Sequence, residues 1–437
     1  MSEWKKVKIG DIFAIEKGSL QSSKNTPGKY DFITAASEWK KHNSYDHDCE
    51  AIVYAVAASG SLGRAHYVNG KFIASDLCFI LTEKNKDKYP VNFLFYQIIF
   101  EMLRDEIVSK TKTGTSKESI NRGNFSNYEI PYFPIDFQLA NYQRFVDAKN
   151  TIKTLIDEYE KQKSYAKQLR QNILQEAIEG KLTADWREKH PVKKGDPNYD
   201  AEALFEKIQI ERQKKGKKQK SLPAITEDEK PFAIPTGWKW VRLGEICNNI
   251  EGGKSILCKE VVPNEDEIGI VKTGVCSFGY FKENECKTCL SMNDWHDEYA
   301  IHQGDFLIGR ANTLELVGSC AVVDSIKKKL MLSDKILRIN FVNDIDRRFI
   351  LYVMKSKYLR VQIEQSATGS SPTMKNISQD SIKNYVIVLP PLAEQNEIVT
   401  RVEKYLETIN QLETQIATRE TTTKQLMQSI LKDAFEE

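Results

Sequence analysis

Apolar positions along the chain fall into two periods. Short β-branched and aromatic runs predict strands: Ala51-Ile52-Val53-Tyr54-Ala55-Val56, which ends in a Ser-Gly turn at Ser59-Gly60-Ser61, and Cys78-Phe79-Ile80-Leu81. Between Phe93 and Ile107, behind Pro90, apolar residues fall at helical spacing and predict a buried helix. From Phe145 the apolar step becomes 3 and 4, through Ala148, Ile152, Leu155, Tyr159, Gln162, Ala166, Leu169 and Ile173. A seam held over about four heptads predicts a coiled coil rather than an ordinary amphipathic helix. About 40 helical residues span roughly 60 Å, the length of a rigid spacer.

The patterns come twice. Trp4-Lys5-Lys6-Val7-Lys8-Ile9-Gly10-Asp11-Ile12 recurs as Trp238-Lys239-Trp240-Val241-Arg242-Leu243-Gly244-Glu245-Ile246. Phe93, Tyr96 and Leu103 recur as Phe349, Tyr352 and Leu359. The second seam runs through Val402, Tyr405, Ile409, Leu412, Ile416, Arg419, Thr423, Leu426 and Ile430. The offset is 234 from Trp4 to Trp238 and 257 from Lys167 to Lys424, so the second copy carries 23 extra residues. This is a whole domain plus a helix, duplicated, and not a short solenoid repeat. The expected fold is α+β, with two pseudo-symmetric mixed α/β domains separated by two long antiparallel coiled-coil helices. The expected boundaries are 1–136 for the first domain, 137–180 for its helix, 181–232 for a charged connector, 233–392 for the second domain and 393–437 for its helix. Gln162 and Arg419 interrupt the two seams at the same repeat position. Antiparallel packing about a two-fold axis would make them a central polar layer that fixes register, and the alternative is that both side chains snorkel to solvent.

The connector has turn signals at Gly195-Asp196-Pro197-Asn198, a short helical stretch from Ala201 to Arg212, and the run Lys214-Lys215-Gly216-Lys217-Lys218-Gln219-Lys220. That run reads as a solvated flexible linker, or more sharply as a sequence-independent phosphate contact.

Net charge is +2, from 63 basic and 61 acidic residues, so any surface for nucleic acid must be a local one. No run of 18 apolar residues and no apolar leader segment is present, and the expectation is a cytoplasmic protein without membrane association. Eight cysteines in such a chain are expected to be reduced thiols. Cys286-Lys287-Thr288-Cys289 has zinc-knuckle spacing, with Cys247, Cys258 and Cys276 upstream. A second close pair is missing, so no metal site is expected.

No catalytic constellation stands out. Phosphate-binding glycine loops, a nucleophile elbow, a His-Glu-x-x-His helix and an amino-methyltransferase motif are all missing from the sequence. What the sequence offers is polar loops. Lys112-Thr113-Gly114-Thr115-Ser116-Lys117 and Ala367-Thr368-Gly369-Ser370-Ser371-Pro372-Thr373-Met374-Lys375 follow the buried helix of each copy. Hydroxyls and amides in a glycine turn, flanked by lysine, suit phosphate oxygens. Arg64, Arg310 and Asn312 follow apolar strands, and Arg and Asn can pair bidentately with guanine and adenine. The candidate DNA-contacting set is therefore Arg64, Lys112, Thr113, Thr115, Ser116, Lys117, Arg310, Asn312, Thr368, Ser370, Ser371 and Lys375.

Three stretches resemble one family. Ile234-Pro235-Thr236-Gly237-Trp238-Lys239-Trp240-Val241-Arg242-Leu243-Gly244-Glu245-Ile246 resembles the opening of a target recognition domain. Leu389-Pro390-Pro391-Leu392-Ala393-Glu394-Gln395-Asn396-Glu397-Ile398-Val399 is similar to the entry into a conserved spacer helix, and Ile173 through Thr183 to a central conserved region. Together, over nearly the whole chain, they resemble the specificity subunit of a Type I restriction–modification enzyme. The resemblance implies a non-catalytic subunit whose two domains each read half of a bipartite, asymmetric site in double-stranded DNA. It implies that the helices dock two methyltransferase subunits, with Leu155, Leu169, Ile173, Leu412, Leu426 and Ile430 as the contacting residues, and that nuclease/translocase subunits join. S-adenosylmethionine, ATP and Mg would belong to those partners and no cofactor to this chain. The first copy departs from the pattern: Tyr132-Phe133-Pro134-Ile135-Asp136-Phe137-Gln138 stands where the second has Leu389-Pro390-Pro391-Leu392-Ala393-Glu394-Gln395. Two readings from other classes stay open at this point: a self-sufficient DNA-modifying enzyme with an undetected site, and a coiled-coil scaffold that binds protein only.

Overall fold

The computed structural model describes residues 5–58, 60–114, 118–214, 221–277, 279–371 and 373–436, with side chains to 426 and at 429. It divides into two compact units, residues 1–163 with 414–437, and residues 164–413. No described helix is long and apolar enough to cross a membrane.

The first unit is built on a six-stranded sheet. Its strands lie in the order Phe13–Lys17, Cys78–Glu83, His47–Ala55, Ala65–Ala74, Tyr30–Ile33, Lys40–His42. Only Tyr30–Ile33 runs parallel to its neighbour Ala65–Ala74. The apolar run 51–56 lacks visible alternation because both faces of its strand are covered. Ile52 and Tyr54 face the helix Phe93–Met102 in a core with Phe13, Phe95, Tyr96 and Phe100. Ala51, Val53 and Ala55 face the other way, onto Ile33, Ala35, Phe72 and Ile80. Removing one of these buried rings would cost about 3–5 kcal/mol.

The second unit repeats the strand order in two four-stranded sheets. One runs Cys247–Gly252, Ile336–Phe341, Phe306–Gly309, Cys320–Val322, and the other Cys258–Lys259, Cys286–Cys289, Ile268–Val271, Lys329–Met331. The single strand Ala65–Ala74 of the first unit is here split into Cys320–Val322 and Lys329–Met331, and Ile268–Val271 runs parallel to the latter. In each unit the ends of the domain close as a two-stranded ribbon: Lys6–Lys8 pairs with Glu129–Pro131, and Lys239–Arg242 with Val386–Leu389. The repeated phrase supplies the first strand of each ribbon, with Val7 and Val241 buried.

A buried glutamine follows each ribbon. Gln138 accepts the amide of Asn92 (2.6 Å) and donates to the carbonyls of Pro90 and Phe133. Gln395 accepts the amide of Asp346 (3.1 Å) and donates to the Pro390 carbonyl. Asn92 and Asp346 are the N-caps of the two buried helices, so each glutamine fixes the long helix against the same point of its domain. The first copy's divergent phrase thus keeps the one side chain that this joint needs.

The long helices are Ile135–Ile178 and Leu392–Glu436. Their buried positions step by seven: Phe145, Ile152, Tyr159, Ala166 and Ile173 on one, and Val402, Ile409, Ile416 and Thr423 on the other. In the first unit the Tyr159 hydroxyl meets that of Thr423 at 3.1 Å and Lys163 pairs with Glu420 at 2.6 Å, so the helices run antiparallel there. In the second unit Arg170 pairs with Glu413 and donates to Asn410. The other seam row is not buried. Leu155, Leu169, Tyr405, Leu412 and Leu426 are 36–49% exposed. The Gln162–Arg419 layer is corrected accordingly. The two residues come level with each other, but Gln162 bonds back to Glu158 and Arg419 is exposed. Polar contact across the helices comes from the residues beside them.

The connector is not a featureless linker. Leu204 and Ile208 of its helix Ala201–Lys214 are fully buried in the second unit's core, and Pro197 and Asn198 accept the first amides of the second long helix. Of the basic run, residues 215–220 lie outside the described residues.

Candidate nucleic-acid interface

In the first unit, the segment after Tyr30–Ile33 turns back over the sheet, and Ala35 enters the core beside Val53 and Ala55. The carbonyl of Ala35 accepts from Arg64 (2.8 Å), which ties segment 34–39 to segment 56–64. The amide of Ile120 donates to Val56 (2.8 Å), which ties 56–64 to the hairpin Lys112–Thr113 and Ser119–Ile120. Three polar segments are thus joined into one surface. The second unit builds the same junction from different side chains. Ile377 donates to Arg310 (2.9 Å), the strand Ala311–Asn312 pairs with Lys375–Asn376, and Asn312 reaches Ser277 of segment 272–285 at 3.5 Å.

One arginine braces each junction. Arg104 donates to the carbonyls of Leu62 (2.7 Å) and Gly60 (3.2 Å), and Arg360 to those of Val317 and Leu314. The braced turns contain Gly63 and Gly318, both at φ +78, a conformation that costs other residues strain. A Cβ at Gly63 would sit 2.6 Å from Val108, and one at Gly318 would sit 2.8 Å from Ile363. Sequence reading missed both arginines, although the repeat itself pairs them.

The sequence-derived candidates divide. Arg310, Asn312, Thr368 and Lys375 are brought together by adjacent strands. Ser370 and Ser371 are exposed in the turn between them. Lys375 donates to Gly369 at 2.6 Å, and the Arg310 guanidinium has no partner among the described residues. Lys112 and Thr113 are exposed on the first hairpin, with Lys112 paired to Glu118 at 2.7 Å. Thr115, Ser116 and Lys117 lie outside the described residues. Arg64 is a brace between segments, and the hydrogen bonds make Val56, not Arg64, the counterpart of Arg310 in the repeat. The segment that sequence reading missed carries exposed aromatics: Trp39 is 40% exposed in the first unit and Tyr280 is 55% exposed in the second. The Trp39 indole N–H donates to His66 at 3.3 Å.

A buried hub sits beside the second helix's start. Glu394, 1% exposed, accepts from Thr183 (2.6 Å), from Trp238 (2.7 Å) and from Arg187. Its counterpart in the first copy is Phe137, stacked on Phe133 at 4.9 Å. The sequence departure there replaces a buried carboxylate with a stacked ring. Among the described residues no group of three or more His, Cys, Asp or Glu could hold a metal ion.

The profile of the Type I restriction modification DNA specificity domain matches residues 1–161 and 235–419. The chain belongs to this family. Each matched stretch contains one of the three-segment surfaces. The chain is 34% identical over 275 residues to the Type I restriction enzyme EcoEI specificity subunit of Escherichia coli, covering 61% of this chain and 45% of that one. It is 23% identical to the EcoDI specificity subunit of Escherichia coli, covering 99% of this chain and 88% of the relative. The chain spans less than half the length of the EcoEI and EcoAI relatives in these matches, 45% and 44%. A solved structure described as the basis of complex assembly and conformational transition of the type I R-M system superposes with a TM-score of 0.58 at 16% identity, over 99% of this chain and 97% of that one. That likeness supports the fold: α+β domains with a long helix between them.

Proposed function

We propose that this chain is the non-catalytic DNA-recognition subunit of a Type I restriction–modification complex, with each domain reading one half of a bipartite asymmetric site. The observation that carries the reading is the duplicated junction of three polar segments, built on one scaffold but dressed differently. The first copy presents Trp39, Lys112 and Thr113, and the second presents Tyr280, Arg310, Asn312, Thr368 and Lys375. Equal scaffolds with unequal side chains suit two different half-sites. Lysines and hydroxyls supply phosphate contacts, and Arg310 and Asn312 supply base-edge hydrogen bonds.

The exposed row Leu155, Leu169, Leu412 and Leu426 supports docking of two methyltransferase subunits, with nuclease/translocase subunits joining the complex. Ile173 points into the helix core at 8% exposure and is left out of the docking row, and Ile430 lies outside the described side chains. S-adenosylmethionine, ATP and Mg would be supplied by those partners.

The test is exchange of residues 233–366 for the equivalent stretch of another family member, followed by mapping of methylated adenines in cells that carry the partners. One half of the methylated motif should change. A change in both halves defeats the modular reading, and methyl transfer or cleavage by the purified chain alone defeats the non-catalytic one.

A further inference from the structure

Two of the eight cysteines face each other across paired strands of the second unit. Cys258 and Cys289 are register partners on the antiparallel strands Cys258–Lys259 and Cys286–Cys289, and their sulfurs lie 3.9 Å apart. Opposed residues of antiparallel strands have Cα atoms about 4.5–5.5 Å apart, inside the span of about 4.4–6.8 Å that disulfides use. Cys258 is half-buried and reachable from solvent, whereas Cys289 is 7% exposed behind it. Cys247, Cys276, Cys286 and Cys320 of the same unit are all buried.

We propose that Cys258 and Cys289 form an oxidisable dithiol that closes to a disulfide under a peroxide. The Cys258 thiolate attacks one peroxide oxygen and the O–O bond breaks. This gives a sulfenic acid, and the departing hydroxide takes a proton to become water. The Cys289 sulfur then attacks the sulfenic sulfur, the S–S bond forms and the S–O bond breaks. The leaving hydroxide becomes water with the proton from Cys289. In sum, two thiols lose two electrons and two protons, and one peroxide becomes two waters. Burial beside Ile256, Trp295 and Met331 raises both thiols, Cys289 to about 12, so closure should speed up as pH rises.

The bond would close a loop from 258 to 289, and this loop contains the strand Ile268–Val271 and all of segment 272–285. Oxidation would therefore restrain one of the three segments of the second surface and leave the first surface alone. The assignment of the thiol pair itself does not depend on DNA recognition.

The test uses the full chain, reduced, freed of reductant and treated with hydrogen peroxide. Intact mass should fall by about 2 Da, and two of the eight thiols should become unreactive to alkylation after denaturation. Peptide mapping should show the 258–289 link, and dithiothreitol should reverse it. Amides of 272–285 should exchange more slowly after oxidation. Cys258→Ser and Cys289→Ser should each abolish the mass loss, and either variant suffices if the other does not fold. Eight reactive thiols after treatment would overturn the proposal. So would a link between any other pair, or sulfinic acid at Cys258 without a link.

Discussion

Arg360 holds two carbonyls of the turn 314–318, and Arg104 holds two of the turn 60–63. Hydrogen bonds from a charged group are worth about 1.5–3 kcal/mol each, and the unsatisfied carbonyls left behind add to the loss. Arg360→Ala should therefore lower stability by about 2–4 kcal/mol in denaturant titration. It should also blur base preference in one half-site only, read by methylation mapping. Equal blurring in both halves would count against a local brace. Trp39→Ala should cost about 1–2 kcal/mol, because the residue is 40% exposed and its ring packs against His66. It should nonetheless weaken binding of the assembled complex to its site, with Trp39→Phe retaining most of the affinity. Unchanged binding of Trp39→Ala would remove segment 34–39 from the interface. These residues were hard to read because their roles depend on which turn they meet, not on local pattern. Arg64 follows a strand just as Arg310 does, and only the bond from Ile377 to Arg310 and from Ile120 to Val56 shows which positions correspond.

The long helices show what periodicity reveals and what it hides. The seven-residue step was legible, as was the helix entry after the Leu389-Pro390-Pro391 phrase. Which of the two apolar rows is covered was not legible, because Leu155 and Ile152 look alike to any periodic test. The structure separates them. Ile152 is 4% exposed and Leu155 36%. Ile152→Ala should cost about 2–5 kcal/mol in thermal or denaturant unfolding, and Leu155→Ala should cost under about 1.5. Leu155→Ala should instead weaken capture of the methyltransferase subunit, and a reversed order of the two stability losses would contradict the burial. The cross-helix ion pair adds a pH signature. Hydrogen bonds from Lys163 and Lys424 hold Glu420 at about 2, below the 4.5 of an unperturbed glutamate. A depressed carboxylate stabilises the folded state above its unfolded value, and this is lost as protons bind. The contribution should be complete above about pH 4.5 and disappear as pH falls toward 2. Glu420→Gln should flatten that part of the stability profile, and an unaltered acid limb would show that the pair contributes nothing.

At the scale of the whole chain, duplication was the most legible feature, because the ribbon phrase and the seam both survive divergence. The junction of three segments was half legible. Glycine turns and lysines announced the hairpins, but segments 34–39 and 272–285 carry no shared motif and differ in length. Their likeness lies in a parallel strand pairing, which is a long-range contact with no sequence signature. The ribbons that close each domain have one more consequence. Since a domain's first and last strands lie side by side, its two chain ends leave from the same place. A gene crossover inside one strand of a ribbon and another inside its matching strand would therefore exchange an entire domain while leaving the joint at Gln138 or Gln395 intact. Crossovers elsewhere would splice half a sheet to a stranger. Heritable change of target in this lineage should thus leave breakpoints crowded at positions 6–8, 129–131, 239–242 and 386–389. One recombination event could then replace a whole domain without altering either long helix.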